Sequence, residues 1–170
     1  MNMGLVILTA ALLATSLTDL AHRRIPNIIT YPLAACGLVC HFASAGTNGL
    51  IFALTGILAG AALLLPFYML GGMGAGDVKL LAASGSILGP EEVLVAFLYS
   101  ALIGGLYAIV VLYRHGALRE AIIQLGHTLV GLVLATGFTM PSSRAFAGIP
   151  RLCYGVAISL GTVLAVLRPI

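Results

Sequence analysis

The chain has 170 residues, of which 61% are hydrophobic and 8% charged, with a mean hydropathy of +1.14. Soluble domains carry about 25% charged residues, so this composition excludes a folded surface kept in water by its own charges and points to lipid as the solvent. The net charge of +3 is too small and too scattered for a nucleic-acid-binding face, which needs clustered Lys and Arg.

The apolar residues fall in blocks of membrane-spanning length. The first predicted helix covers 3–21. No Lys or Arg precedes it, and His22-Arg23-Arg24 follows it. That order is the reverse of a signal peptide, so a retained helix with its N-terminus outside is expected. A second helix is predicted over 28–45, a turn at Gly46-Thr47-Asn48-Gly49, and a third helix over 50–70. The glycine-rich stretch Gly71–Gly76 leads into Asp77, and a fourth helix runs to about Leu88. Gly89-Pro90-Glu91-Glu92 breaks the chain before a fifth helix over 93–113. The segment 121–140 is long enough to span, but Gln124, Gly126 and His127 weaken it; 152–167 makes a final helix.

Charge bears on the ambiguous segment. If 121–140 stays out of the core, Arg23, Arg24, Lys79, Arg114, Arg119, Arg144 and Arg151 share one side, with Arg168 opposite. If it crosses, Arg144, Arg151 and Arg168 change sides. The positive-inside rule favours the first arrangement. The expectation is a single all-α, polytopic membrane domain over 1–170, with about six transmembrane helices and an interfacial or partly inserted segment at 121–140. Small residues such as Gly56 and Gly60 predict close helix packing.

Cys36, Cys40 and Cys153 are an odd number within apolar stretches and include no C-x-x-C pair. They read as small buried residues, without a disulfide framework or zinc site. His22, His41, His115 and His127 fall at no metal-like spacing, and no metal or cofactor is expected.

An ionisable group inside a membrane helix is costly and marks function by default. Glu91 and Glu92 occupy a turn and Glu120 adjoins Arg119. Asp19 and Asp77 are different. Asp77 stands 14 residues before Glu91, which is about 21 Å of helix at the standard rise. That is short of a hydrocarbon core of about 30 Å, so its carboxyl needs a wet cavity. Asp19 ends the first helix on the same side, where Arg23, four residues on, offers an ion pair. Two facing carboxyls do not both ionise easily; one keeps a proton and the other takes one from water. The glycines before Asp77 let backbone approach backbone, suiting an extended peptide beside the acid. Lys79 either favours a charged acid or snorkels to headgroups.

Gly74-Ala75-Gly76-Asp77-Val78-Lys79 resembles the G-x-G-D-x-K motif of type IV prepilin peptidases, which are polytopic aspartyl proteases. Thr18-Asp19 through Arg24-Ile25-Pro26-Asn27 resembles the family's first-site segment, and Pro150 through Gly161 the C-terminal helix of the short members serving tight-adherence (Flp-type) pili. The resemblance implies Asp19 and Asp77 as the catalytic pair, with Gly74, Gly76, Lys79, Arg23, Pro26 and Asn27 binding substrate or supporting the site. It implies no metal or cofactor. The implied substrate is a prepilin or pseudopilin leader, cut at the cytoplasmic face of the bacterial inner membrane, with the lipid bilayer as the other partner and no nucleic acid. Longer members have a cysteine-motif region and also N-methylate the new terminus. That region is absent from this sequence, so proteolysis alone is expected.

Two other readings compete. A small proton- or cation-coupled transporter would use the same two acids but leaves Lys79 and Ile25-Pro26-Asn27 without a purpose. A non-catalytic pilus-assembly subunit would have no need of both acids.

Overall fold

A computed structural model describes residues 3–69, 72–123, 126 and 153–167. They include four helices, α1 (Met3–His22), α2 (Asn27–Met69), α3 (Ala75–Arg114) and α4 (Tyr154–Leu167), with no strand among the described residues. Gly4–His22, Asn27–Met69 and Pro90–Arg114 are long and apolar enough to cross a membrane; Tyr154–Leu167 is apolar but shorter.

Two of these helices are folded. Within α2, Ala45 (φ −136°, ψ 15°) and Gly46 (φ 58°, ψ −134°) leave helical geometry. Beyond them Gly49 lies against the carbonyl of His41, and the His41 and Phe52 rings stand 5.0 Å apart. Eight residues of unbroken helix would separate such groups by about 12 Å, so the chain doubles back. The sequence predicts a four-residue turn; the structure spends only Ala45 and Gly46 on it, because a residue at positive φ reverses the chain abruptly and glycine takes that conformation cheaply. Gly89 (φ 83°, ψ 178°) breaks α3 in the same way. Pro90 then opens the next segment, at a helix start where its missing N–H costs nothing.

The halves of α2 and α3 pack tightly. Gly56 faces the carbonyl of Gly85, and Gly60 that of Leu81, so a Cβ at either position would strike backbone. The rising and falling numbers make the two segments antiparallel. The expected close packing at Gly56 and Gly60 is present. Around it the core joins Leu8 and Leu12 of α1, Leu33 and Leu64 of α2, Leu80, Leu81, Ala83 and Val93 of α3, and Ile158 of α4.

Buried hydroxyls bond back to helix carbonyls, as a medium without water requires. Thr15 donates to the Ala11 carbonyl (2.9 Å), Ser84 to Leu80 (3.0 Å) and Thr162 to Ile158 (2.7 Å). Ser159 also reaches across from α4 to the Leu12 carbonyl at 3.3 Å. Among the described residues no buried side-chain nitrogen or oxygen lacks a partner.

The chain divides into two compact units, Met1–Gly104 with Cys153–Ile170, and Gly105–Leu152. The packing just described belongs to the first. In the second, α3 ends where Ala117 N–H donates to the Leu112 carbonyl (3.0 Å) and Gly116 N–H to that of Tyr113 (3.1 Å). This is a Schellman turn. Residues 118–123 are helical again. Most of the ambiguous segment 121–140 lies outside the described residues, as do Arg144, Arg151 and Arg168.

Candidate active site

Asp19 lies in the last turn of α1. The helix stops because Arg23 takes a left-handed conformation (φ 52°), with its N–H still donating to the Asp19 carbonyl at 2.8 Å. The chain then runs through Arg24, Ile25 and Pro26 to the start of α2, where Ile29 N–H closes onto the Pro26 carbonyl at 3.1 Å. The Asp19 side chain is only 5% exposed, and a buried carboxyl needs a partner. Arg23 is exposed, and the carboxyl turns instead to α4. Its Oδ2 accepts the backbone N–H of Gly155 at 3.0 Å, and the amide of Val156 is directed at the same carboxyl. First-turn N–H groups have no acceptor within their own helix, so Asp19 completes the start of α4.

Asp77 has a similar relation to its own helix. It is the third residue of α3, which begins at Ala75, two residues before the sequence-based start. Its Oδ2 accepts the N–H of Gly74 at 3.1 Å, and its own N–H donates to the Gly74 carbonyl at 3.1 Å. An acidic residue three places after the cap, reaching back to the cap's N–H, is the carboxylate half of a capping box. The motif thus folds its own helix start while leaving Asp77 half-exposed. Upstream, Gly72 N–H closes onto the Phe67 carbonyl at 3.0 Å; Gly71 lies outside the described residues.

Ile25 joins the two acids' surroundings. A Cβ added to Gly76 would stand 3.0 Å from Ile25 Cβ, and one added to Gly155 2.9 Å from Ile25 Cδ1 and 2.8 Å from Asp19 Oδ2. Through this wedge the starts of α3 and α4 meet the end of α1. Ile25 thus stands between Gly155, whose N–H holds Asp19, and Gly76, the neighbour of Asp77. Cys153 adjoins the first acid, its Sγ 3.8 Å from the Asp19 carbonyl. Both acids lie at one end of the bundle, since Gly4, at the start of α1, meets Ile87, far along α3 from Asp77.

Lys79 points elsewhere. Its Nζ donates to Asn27 Oδ1 at 3.1 Å and stands 5.4 Å from the centre of the Tyr31 ring. Lys79 and Asn27 therefore tie the start of α3 to the start of α2. Asp19, Asp77, Gly74 and Gly76 form one cluster, Lys79 and Asn27 a second, and Pro26 is half-buried in the link between α1 and α2. Ile25 as a wedge, Tyr31 under the Lys79 ammonium and Cys153 beside Asp19 were not singled out from sequence. No group of three or more potential metal ligands occurs among the described residues. Two carboxyls, each held by a helix-start N–H, are suited to exchanging protons with a reactant between them.

A model of the type IV leader peptidase family matches residues 6–109, a stretch that contains both acids. The chain is 33% identical over 135 residues to the prepilin leader peptidase/N-methyltransferase of Xanthomonas campestris pv. campestris, covering 72% of this chain and 45% of that protein. It is 36% identical over 122 residues to the protein of the same name from Neisseria gonorrhoeae (68% and 42% covered). Against the type 4 prepilin-like proteins leader peptide-processing enzyme of Escherichia coli O78:H11 it is 32% identical over 118 residues (64% and 43% covered). The chain thus matches less than half the length of these relatives. No solved structure is significantly similar to it.

Proposed function

The chain belongs to the type IV leader peptidase family, and on that premise we propose that it is an aspartyl endopeptidase of the bacterial inner membrane that removes the leader from Flp-type prepilins or pseudopilins. The observation that carries the reading is that Asp19 and Asp77, 58 positions apart in the sequence, lie at one end of the bundle with Ile25 packed between their neighbours Gly155 and Gly76.

The chemistry follows from the pair. Water held between the carboxyls loses a proton to the ionised one as its oxygen attacks the scissile carbonyl; the protonated one donates to that carbonyl's oxygen. The tetrahedral intermediate collapses with a proton passing to the departing amine, which leaves as the new N-terminus of the hydrophobic helix. No covalent intermediate forms. The bond between a polar leader and an apolar helix sits at a membrane boundary. With the N-terminus outside, Arg23, Arg24 and Lys79 put the acids at the cytoplasmic boundary under the positive-inside rule. Gly74 fixes Asp77, Gly76 admits Ile25, and Lys79 with Asn27 holds the first-site segment, including Pro26, against α3. The exposed Arg23 side chain would meet the leader.

Coexpression with a candidate prepilin, read as a mobility shift, tests the proposal. Asp19→Asn and Asp77→Asn should each abolish leader removal while the protein still inserts. Cleavage retained by either variant would defeat the paired-acid mechanism, and proton flux without cleavage would favour a transporter.

A further inference from the structure

We infer that the first turn of α4 is a clasp that positions Asp19, and that Gly155 is its specific positioning residue. The inference rests on the peptidase reading for its kinetic arm alone.

Three observations meet at this residue. Its backbone N–H donates to Asp19 Oδ2 at 3.0 Å, across 136 positions of sequence. The space where its side chain would stand is already filled on two sides, by Asp19 Oδ2 at 2.8 Å and by Ile25 Cδ1 at 2.9 Å. The carboxyl thus rests against the α-carbon face of the residue whose amide binds it, and any larger residue pushes it away. Behind it, α4 is fixed to α1 at the next turn by the Ser159 hydroxyl on the Leu12 carbonyl, and to α3 by the close approach of Gly161 to Ser100. The N–H is therefore aimed by a docked helix and not by a loop.

The consequence is geometric. A side chain at the end of α1 would otherwise sample several rotamers. The clasp selects one, with Oδ2 committed to the first turn of α4. A reactive group held in place by a partner already aligned needs no reorganisation when substrate arrives. Gly155 touches neither substrate nor water in this scheme; it acts through Asp19.

The test uses the full chain in proteoliposomes. Gly155→Ala adds the colliding Cβ and keeps the N–H. Gly155→Pro also removes the N–H, at a helix position where proline is tolerated. Gly155→Ala with Ile25→Val removes the Ile25 Cδ1 contact, so that what remains is the push on Asp19. Carboxyls are labelled with carbodiimide and an amine and mapped by mass spectrometry, a measurement independent of activity. Asp19 should be shielded in the wild type and labelled several-fold more in all three variants, with Asp77 unchanged. In prepilin cleavage, kcat should fall about 100-fold, the scale of a 1 Å misplacement, with KM little changed and the proline variant the lower of the two single substitutions. Unaltered Asp19 labelling, or wild-type kcat in either single variant, would overturn the clasp. Shielding that responds as expected in a protein that cleaves no prepilin would instead leave the clasp standing and sink the peptidase reading.

Discussion

Gly155 and Asp19 form the longest-range polar link in the candidate site, a 3.0 Å bond between the first turn of the last helix and the last turn of the first. Since the N–H of Gly155 has no acceptor in its own helix, Asp19 has a structural duty apart from any chemistry. Asp19→Ala leaves that N–H buried without a partner, a loss of about 1–3 kcal/mol. Asp19→Asn keeps an acceptor oxygen and should cost about 1 kcal/mol or less. Thermal unfolding in detergent should rank the proteins wild type, Asn, Ala. An alanine variant as stable as the asparagine one would mean that the bond contributes nothing to the fold.

The contact of Gly56 with the Gly85 carbonyl sets a second expectation. Any side chain at Gly56 must separate two backbones, and overpacking of this kind costs about 1–3 kcal/mol. Gly105, also within α3, has open space where a Cβ would stand. Gly105→Ala should therefore stabilise by about 0.5–1 kcal/mol through helix propensity alone. The opposite signs of Gly56→Ala and Gly105→Ala, read from detergent unfolding curves, would separate a packing requirement from a general tolerance of glycine in membrane helices.

Such contacts mark the limit of what the sequence alone discloses. The breaks at Gly46 and Gly89 were legible because glycine beside an apolar block has few other uses. The acids were legible because so few ionisable groups occur in the chain. The turn lengths were not, since a single residue at positive φ does what four turn-forming residues suggest. Nor was the α3 start, which lies two residues early because Asp77 caps its own helix from inside the first turn. Least legible was the α4 contact. A backbone N–H carries no side-chain signature, and nothing in the residues around Gly155 names Asp19 as its acceptor. Ile25 is legible as part of the Ile25-Pro26-Asn27 segment, but its place as a wedge shows only once Gly76 and Gly155 are seen to make room for it.

The Lys79–Asn27 bond, with the Tyr31 ring beneath the ammonium, invites a double-mutant cycle. Lys79→Met and Asn27→Ala each break the same 3.1 Å contact. Their combined effect on stability should then fall short of the sum by about 0.5–1.5 kcal/mol, as for residues sharing one hydrogen bond. Simple additivity would show that Lys79 serves the bilayer surface and not the start of α2. Lys79→Arg should retain part of the coupling, since a guanidinium can donate to the same oxygen and stack on the same ring.

Asp77 offers the sharpest separation of structural from chemical duty. Its carboxyl accepts the Gly74 N–H at a helix start, a position where acidic side chains are favoured. Glutamate is the residue best suited to that reach from the third position, so Asp77→Glu should hold stability within about 0.5 kcal/mol of wild type, the range of helix-end charge effects. The extra methylene nevertheless carries the carboxyl away from where Asp19 expects it. A displacement of that size should lower leader cleavage by about 100-fold or more. Unfolding and cleavage measured on one preparation decide the point: wild-type stability with lost activity is the signature of a carboxyl whose position matters to chemistry. Wild-type activity in the glutamate variant would reduce Asp77 to a helix cap and leave Asp19 without its partner.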